Sequence, residues 1–389
     1  MSSHLVKLSK FIVALLFAMS VGATQTGLTE EMKDDNVIPD KSDHWFLEEV
    51  GGKQIRVDDQ VLDLRIQYFM QQALNVEPDE EAGDELESDP NTSQGRIALR
   101  QMFDEQWVAQ TRVPPELAWV RDVSIPSRDG KMISARAYHP EGNSENLPVL
   151  VYYHGGGWVF GSVDAVDRAV KWIADEANVI VLSVDYRLAP EAPYPAAWND
   201  AEDAFVWAVE NAEKLGGDAS KICVGGDSAG GNLSIAVSTR QIKKEQKSPS
   251  CQLLYYPGVD NRDIPTMRTN YLSSRLFGVG FWLDYTFTEL VLAMTFPEQD
   301  LASPEISPLF STKDDMAQLP PTIIVAAGFD PLRDSNRAYA AKLEEAGVAV
   351  SYREVPALIH GIINLTSVTP VAHKAALDVA RELGSLAHQ

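Results

Sequence analysis

This sequence is short of positive charge: 33 Lys and Arg stand against 56 Asp and Glu, a formal net charge of −23 over 389 residues. Nucleic acids and anionic membranes are recognised by basic patches, so neither is an expected partner. The acid excess implies a well-solvated surface, one that suits a salty medium. Cysteine is scarcer still. The two residues, Cys223 and Cys251, cannot build a disulfide framework. Each falls at a strand, and the two strands are consecutive, so a single bridge depends on geometry. Long apolar runs are missing as well: Phe11 to Met19 falls short of the roughly 20 residues that span a bilayer, which argues against a stable membrane anchor. Lys7 and Lys10 precede that run and Val21-Gly22-Ala23 follows it, the pattern of a signal peptide over residues 1–23, cut after Ala23. No cysteine follows the run for lipid attachment. The expected destination is the periplasm or the outside of the cell.

What is present is a large apolar fraction, 45%, in a chain long enough for one α/β domain with an accessory element. Residues 24–115 are expected to supply an N-terminal segment and cap helices. Apolar residues recur at helical spacing from Asp58 to Leu74 and from Ser93 to Trp107. Between them, residues 77–90 are rich in acid and without base. They read as a solvated linker, since their spacing matches no oxygen cage for calcium. Residues 116–389 form the main domain. Val120–Ile125 and Ile133–Tyr138 read as a hairpin about Arg128-Asp129-Gly130, after which apolar strands and amphipathic helices alternate. Such alternation predicts an α/β fold, a mostly parallel central sheet with helices on both faces. Residues 261–310, rich in aromatic side chains, interrupt it and read as a helical insertion that joins the cap or, as the alternative, extends the core.

Three glycine-rich stretches carry chemistry. Gly225-Gly226-Asp227-Ser228-Ala229-Gly230-Gly231, between a strand and a helix, has the G-x-S-x-G form of a nucleophile elbow, which lifts a serine hydroxyl to a helix N-terminus. Upstream, His154-Gly155-Gly156-Gly157-Trp158 follows the strand ending at Tyr153. Its glycines can turn backbone N–H groups towards one point, as an oxyanion hole requires. Gly156, Gly157 and Ala229 are the expected donors. His154 reads as structural. Trp158, Phe160 and Tyr186 are expected to line the pocket, with ordinary packing as the equal alternative.

Tyr152 to Trp158, Asp185-Tyr186-Arg187-Leu188-Ala189-Pro190-Glu191 and Gly226 to Gly231 occur in that order and closely resemble the hormone-sensitive lipase family, the bacterial family IV esterases. The likeness extends from about Val120 to the C-terminus. It implies the α/β-hydrolase fold with a helical cap, no cofactor or metal, and hydrolysis of carboxylic esters, often of short to medium chain. The motif from Asp185 to Glu191 is then architectural.

An acid and a base should follow the serine. Asp330 stands at the end of the strand from Pro321, before Pro331, and the family pattern Asp-Pro-Leu-x-Asp also points to it. Asp334 is the runner-up, better read as a cap of the next helix. Of the seven histidines, His360 follows the strand Val348–Val355 and matches the family's histidine loop. The order Ser228, Asp330, His360 is that of the α/β-hydrolases. Ile362 departs from the family, which has phenylalanine after His-Gly, and leaves the local pocket wall open. Two alternatives remain at this stage: an amidase or peptidase on the same fold, and a non-catalytic small-molecule receptor, against which the presence of His360 argues.

Overall fold

The hairpin that opens the main domain consists of β1 (Trp119–Pro126) and β2 (Met132–His139), and it leads into an eight-stranded sheet. The remaining strands are β3 (Leu147–Tyr153), β4 (Ile180–Asp185), β5 (Gly217–Asp227), β6 (Gln252–Tyr255), β7 (Thr322–Phe329) and β8 (Val350–Ile359). Their order across the sheet is β8-β7-β6-β5-β3-β4-β2-β1. β2 pairs antiparallel with β1 and β4, and every other pairing is parallel. This computed structural model describes residues 37–74, 92–142 and 145–389. The signal peptide expected over residues 1–23 and the acidic segment 77–90 lie outside the described residues. Among the described residues, no helix is long and apolar enough to cross a membrane.

Alternation along the strands assigns side chains to the two faces. On β3, Leu150 and Tyr152 join a core beneath the helices Val163–Ala177 and Pro370–Ala387. Val149, Val151 and Tyr153 join another beneath the helices Ala196–Asn211 and Ala229–Lys243. Because both faces are covered, the central strands are apolar throughout, and β7 is buried along its whole length. Caps set the helix ends. Ser162 accepts the N–H of Ala165 at 3.1 Å, and Asn178 ends the same helix at φ 51°, a left-handed conformation that Asn tolerates.

The helical spacing read from Asp58 holds only from Leu64, the start of the helix Leu64–Leu74. The residues before it form a small antiparallel hairpin, Arg56–Val57 with Gln60–Val61. Asp58 and Asp59 turn its tip at φ 54° and 59°, a two-residue loop that suits Asp. Asp63 then accepts the N–H groups of Arg65 and Ile66, which starts the helix.

Between β6 and β7 lie the helices Ile264–Asn270, Leu272–Phe277 and Tyr285–Thr295. The last packs on the helix Ser93–Gln110: Leu99, Met102 and Phe103 from one meet Phe287, Leu290 and Val291 from the other, around Val159 and Phe160. Glu191 ties the same N-terminal helix to the domain by accepting from Arg96 and Arg100 at 2.7 and 2.8 Å. Arg100 also donates to the carbonyls of Val159 and Ala189.

Candidate active site

At the C-terminal end of β5, the middle of the sheet, Ser228 takes φ 54° and ψ −111°, and the helix Ala229–Lys243 begins at the next residue. A serine held in so sparsely populated a conformation stores strain that its surroundings must enforce. Its N–H donates to Tyr255 at 2.8 Å, while its carbonyl accepts from Gly258. The flanking glycines are steric necessities. A Cβ on Gly226 would lie 2.3 Å from the Tyr153 carbonyl oxygen, and one on Gly230 only 1.8 Å from it.

Tyr153 ends β3, and the turn that follows it faces the serine. Gly156 and Gly157 take φ of 105° and 63° and share one cavity wall with Ala229. Ala229 is the first helical residue, so its N–H has no carbonyl four residues back to bond. The turn is held from below by Asp227, whose buried carboxylate accepts from the Tyr152 hydroxyl at 2.8 Å and the Gly155 N–H at 2.9 Å. Burial raises this carboxyl to about 6, against the opposing hydrogen bonds from Tyr152 and Gly155. His154 is wholly buried, stacked on Tyr186 with ring centroids 4.3 Å apart, and its Nδ1 lies 2.8 Å from the Gly155 carbonyl. Burial lowers its pKa to about 4, so at neutral pH it is an uncharged structural ring.

Asp330 follows the end of β7 and His360 the end of β8. The two meet through His360 Nδ1 and Asp330 Oδ2 at 2.8 Å. The other oxygen of Asp330 accepts the Leu332 N–H, also at 2.8 Å, so the carboxylate is fully buried and oriented. Tyr256 packs on the imidazole at 4.5 Å. His360 and Ser228 line the same cavity, and β8 runs four residues beyond Val355 to deliver the histidine there. Asp334 is directed elsewhere. It sits in the first turn of the helix Arg333–Glu345, accepts the Ser273 N–H and pairs with Arg333, which ties the insertion to the domain.

Two expectations about the pocket wall change. Trp158 lines the cavity, at φ 62° in the turn, but Phe160 and Tyr186 do not. Phe160 stands behind the wall, between Phe103 and Phe287, and Tyr186 lies under His154, where its hydroxyl donates to the His154 carbonyl at 2.7 Å. Phe160 follows the glycine turn and Tyr186 follows the end of β4, and packing aims both side chains inward, a direction that residue type does not reveal. Ile362 is fully buried in the core beneath the loop, and Gly361, Asn364 and Leu365 line the cavity instead. Reading the sequence missed Gln106, Gln110 and Asn364, which also line it. The helical spacing of Phe103, Gln106, Trp107 and Gln110 was the available signal.

A buried, oriented Asp–His pair and a strained serine at a sheet end are the parts of a serine hydrolase, with the glycine turn opposite. The chain matches the alpha/beta hydrolase fold family over residues 150–364. It is 43% identical over 256 residues to carboxylic ester hydrolase LipN of Mycobacterium tuberculosis, a match covering 63% of this chain and 65% of that relative. It is 40% identical over 276 residues to carboxylesterase NlhH of the same species, covering 68% of this chain and 83% of the relative. The crystal structure of the esterase of Pyrobaculum calidifontis superposes with a TM-score of 0.69 at 34% identity, covering 75% of this chain and 93% of that one. Fold and relatives together define a carboxylic-ester hydrolase. The chain belongs to the hormone-sensitive lipase family of α/β-hydrolases, the family IV esterases.

Proposed function

We propose that this protein hydrolyses short- to medium-chain carboxylic esters through an acyl-enzyme on Ser228, with His360 as base and Asp330 as the acid that orients it. The observation that carries the reading is the 2.8 Å contact of Asp330 with His360 Nδ1 at the cavity where Ser228 is held. With Nδ1–H donating to Asp330, Nε2 is left as the basic nitrogen. It removes the Ser228 proton as Oγ attacks the ester carbonyl. The carbonyl oxygen becomes an oxyanion at the N–H groups of Gly156, Gly157 and Ala229, and losing one such donor costs about 3 kcal/mol of barrier. His360 then returns the proton to the leaving alcohol, and water repeats the sequence on the acyl-enzyme. Apolar side chains, among them Phe103, Trp107, Phe287, Val291 and Leu365, form much of the cavity wall and suit a hydrocarbon substituent.

Hydrolysis of p-nitrophenyl acetate, butyrate and octanoate, with organophosphate labelling followed by mass spectrometry, tests the reading. Turnover and a covalent adduct on Ser228, both absent in Ser228→Ala, are the expected results. A wild-type protein that neither turns over an ester nor takes the label would end it. We also propose that the protein is exported after cleavage behind Ala23. The Cys223–Cys251 disulfide supports this, since such bonds persist in oxidising compartments. N-terminal sequencing of the mature protein should begin at Thr24.

A further inference from the structure

Three carboxamides stand together on one side of the catalytic cavity. Gln106 and Gln110, one turn apart on the helix Ser93–Gln110, face the cavity along with Asn364 of the short turn Ile362–Asn364, four residues after His360. All are at least nine-tenths buried, with 9%, 2% and 2% of their surface exposed. Four of their six amide atoms are unpartnered: Gln106 Nε2, Gln110 Oε1 and both side-chain atoms of Asn364 have no hydrogen bond.

The backbone around them is, by contrast, fully used. The Gln110 carbonyl accepts the Ser367 N–H at 2.9 Å, the Thr111 hydroxyl donates to the Asn364 carbonyl at 3.4 Å, and the Arg112 N–H donates to the Thr366 hydroxyl at 2.8 Å. These bonds clamp the end of the cap helix to the loop that carries His360. They hold the amides at the cavity with no local partner to satisfy them. Buried polar groups without partners are costly, and they cluster where a ligand completes them.

We propose that Gln106, Gln110 and Asn364 form a polar subsite that recognises a neutral hydroxyl group on the substrate, several atoms from the scissile carbonyl. The inference rests on the esterase reading of Ser228. A carboxamide both donates and accepts, as a hydroxyl does, so an aliphatic alcohol can satisfy an amide oxygen and an amide N–H at once. Charge in the cavity argues against an anionic substituent: Asp227 and Asp284 line it, and no Lys or Arg does among the described residues. The preferred substrates are therefore hydroxylated esters rather than simple fatty esters. A site built to hydrogen-bond a hydroxyl rejects the analogue that lacks it.

The test compares esters matched in length, with and without a terminal hydroxyl. 4-Hydroxybutyl acetate against pentyl acetate probes the alcohol arm, and methyl 5-hydroxypentanoate against methyl hexanoate the acyl arm. A kcat/KM ratio of about tenfold or more in favour of the hydroxylated member in either arm is expected, one hydrogen bond's worth of discrimination. In Gln110→Met and Asn364→Leu, assayed separately, that ratio should fall towards one. Each variant is compared with itself across a pair, so partial loss of folded protein cancels. Hydrolysis of all these esters without preference in either arm overturns the subsite while leaving the esterase reading intact. A preference that survives in both variants also overturns it. Failure to hydrolyse any ester, together with failure of Ser228 to take an organophosphate, overturns both.

Discussion

Asp227 illustrates how one residue serves the site by holding its backbone in place. Its carboxylate braces the glycine turn through Gly155 and Tyr152, and burial raises its pKa from 3.8 to about 6. Between those values the folded protein holds a proton that the unfolded chain has released. Stability therefore falls as pH rises through this window, by roughly 3 kcal/mol in total. His154, one residue before that turn, acts with opposite sign. Burial lowers its pKa to about 4, so the unfolded chain binds the extra proton and stability rises over nearly the same range. The two contributions offset each other in the wild type. Asp227→Asn removes the first and keeps an oxygen for both donors. Its unfolding free energy should gain roughly 3 kcal/mol on the wild type between pH 4 and 7, measured by urea titration at each pH. An unchanged difference would mean that Asp227 titrates normally. At the proposed base, His360→Ala should lower kcat for p-nitrophenyl butyrate by at least about a thousandfold while the circular dichroism spectrum stays native.

Among the elements, the elbow and the cap make different demands. Gly230 packs against the last residue of β3 so closely that any side chain meets backbone, not a movable side chain. Gly230→Ala should therefore cost about 4 kcal/mol or more and appear as insoluble or unfolded protein, whereas most surface changes stay within about 0.5 kcal/mol. Soluble, active protein from that variant would show that the elbow can relax. The cap contact is softer. Phe287 packs on Phe103 and Phe160 and also lines the cavity. Phe287→Ala should raise KM for p-nitrophenyl octanoate about tenfold and for the acetate less than about twofold, because only the longer chain reaches the lost apolar surface. Equal changes for both esters would assign Phe287 a purely structural part. Which elements met here was only partly legible beforehand. Helical spacing identified the helix at Ser93 and the aromatic insertion as amphipathic, but the hairpin at residues 56–61 was hidden because Leu62 and Ile66 extend a helical pattern backwards into it.

For the molecule as a whole, the disulfide closes the loop that runs from β5 to the start of β6. Cys223 and Cys251, both buried and 28 residues apart, join β5, which leads into Ser228, to the residue just before β6. Restricting the unfolded chain by a loop of that length is worth about 3.6 kcal/mol. The double variant Cys223→Ala, Cys251→Ala should lose about that much stability in a denaturant titration and keep the native circular dichroism spectrum. A midpoint equal to the wild type's would remove the bond from any account of stability.

Sequence alone determined the parts of the site whose demands are local. A serine between glycines and a glycine turn after a strand are each set by backbone constraints within a few residues. Ser228 and the turn Gly155 to Gly157 could therefore be singled out from the chain as candidates, and Asp330 and His360 from strand ends together with the resemblance to the family. Tertiary structure decided everything that depends on where a side chain points once distant elements pack. It turned Phe160 and Tyr186 away from the cavity, buried Ile362, joined the two cysteines and brought Gln106 and Gln110 beside Asn364 across more than 250 residues of chain. The reason is physical: a local motif is enforced by neighbouring φ and ψ, whereas the direction and partners of a side chain follow from packing between elements far apart in sequence.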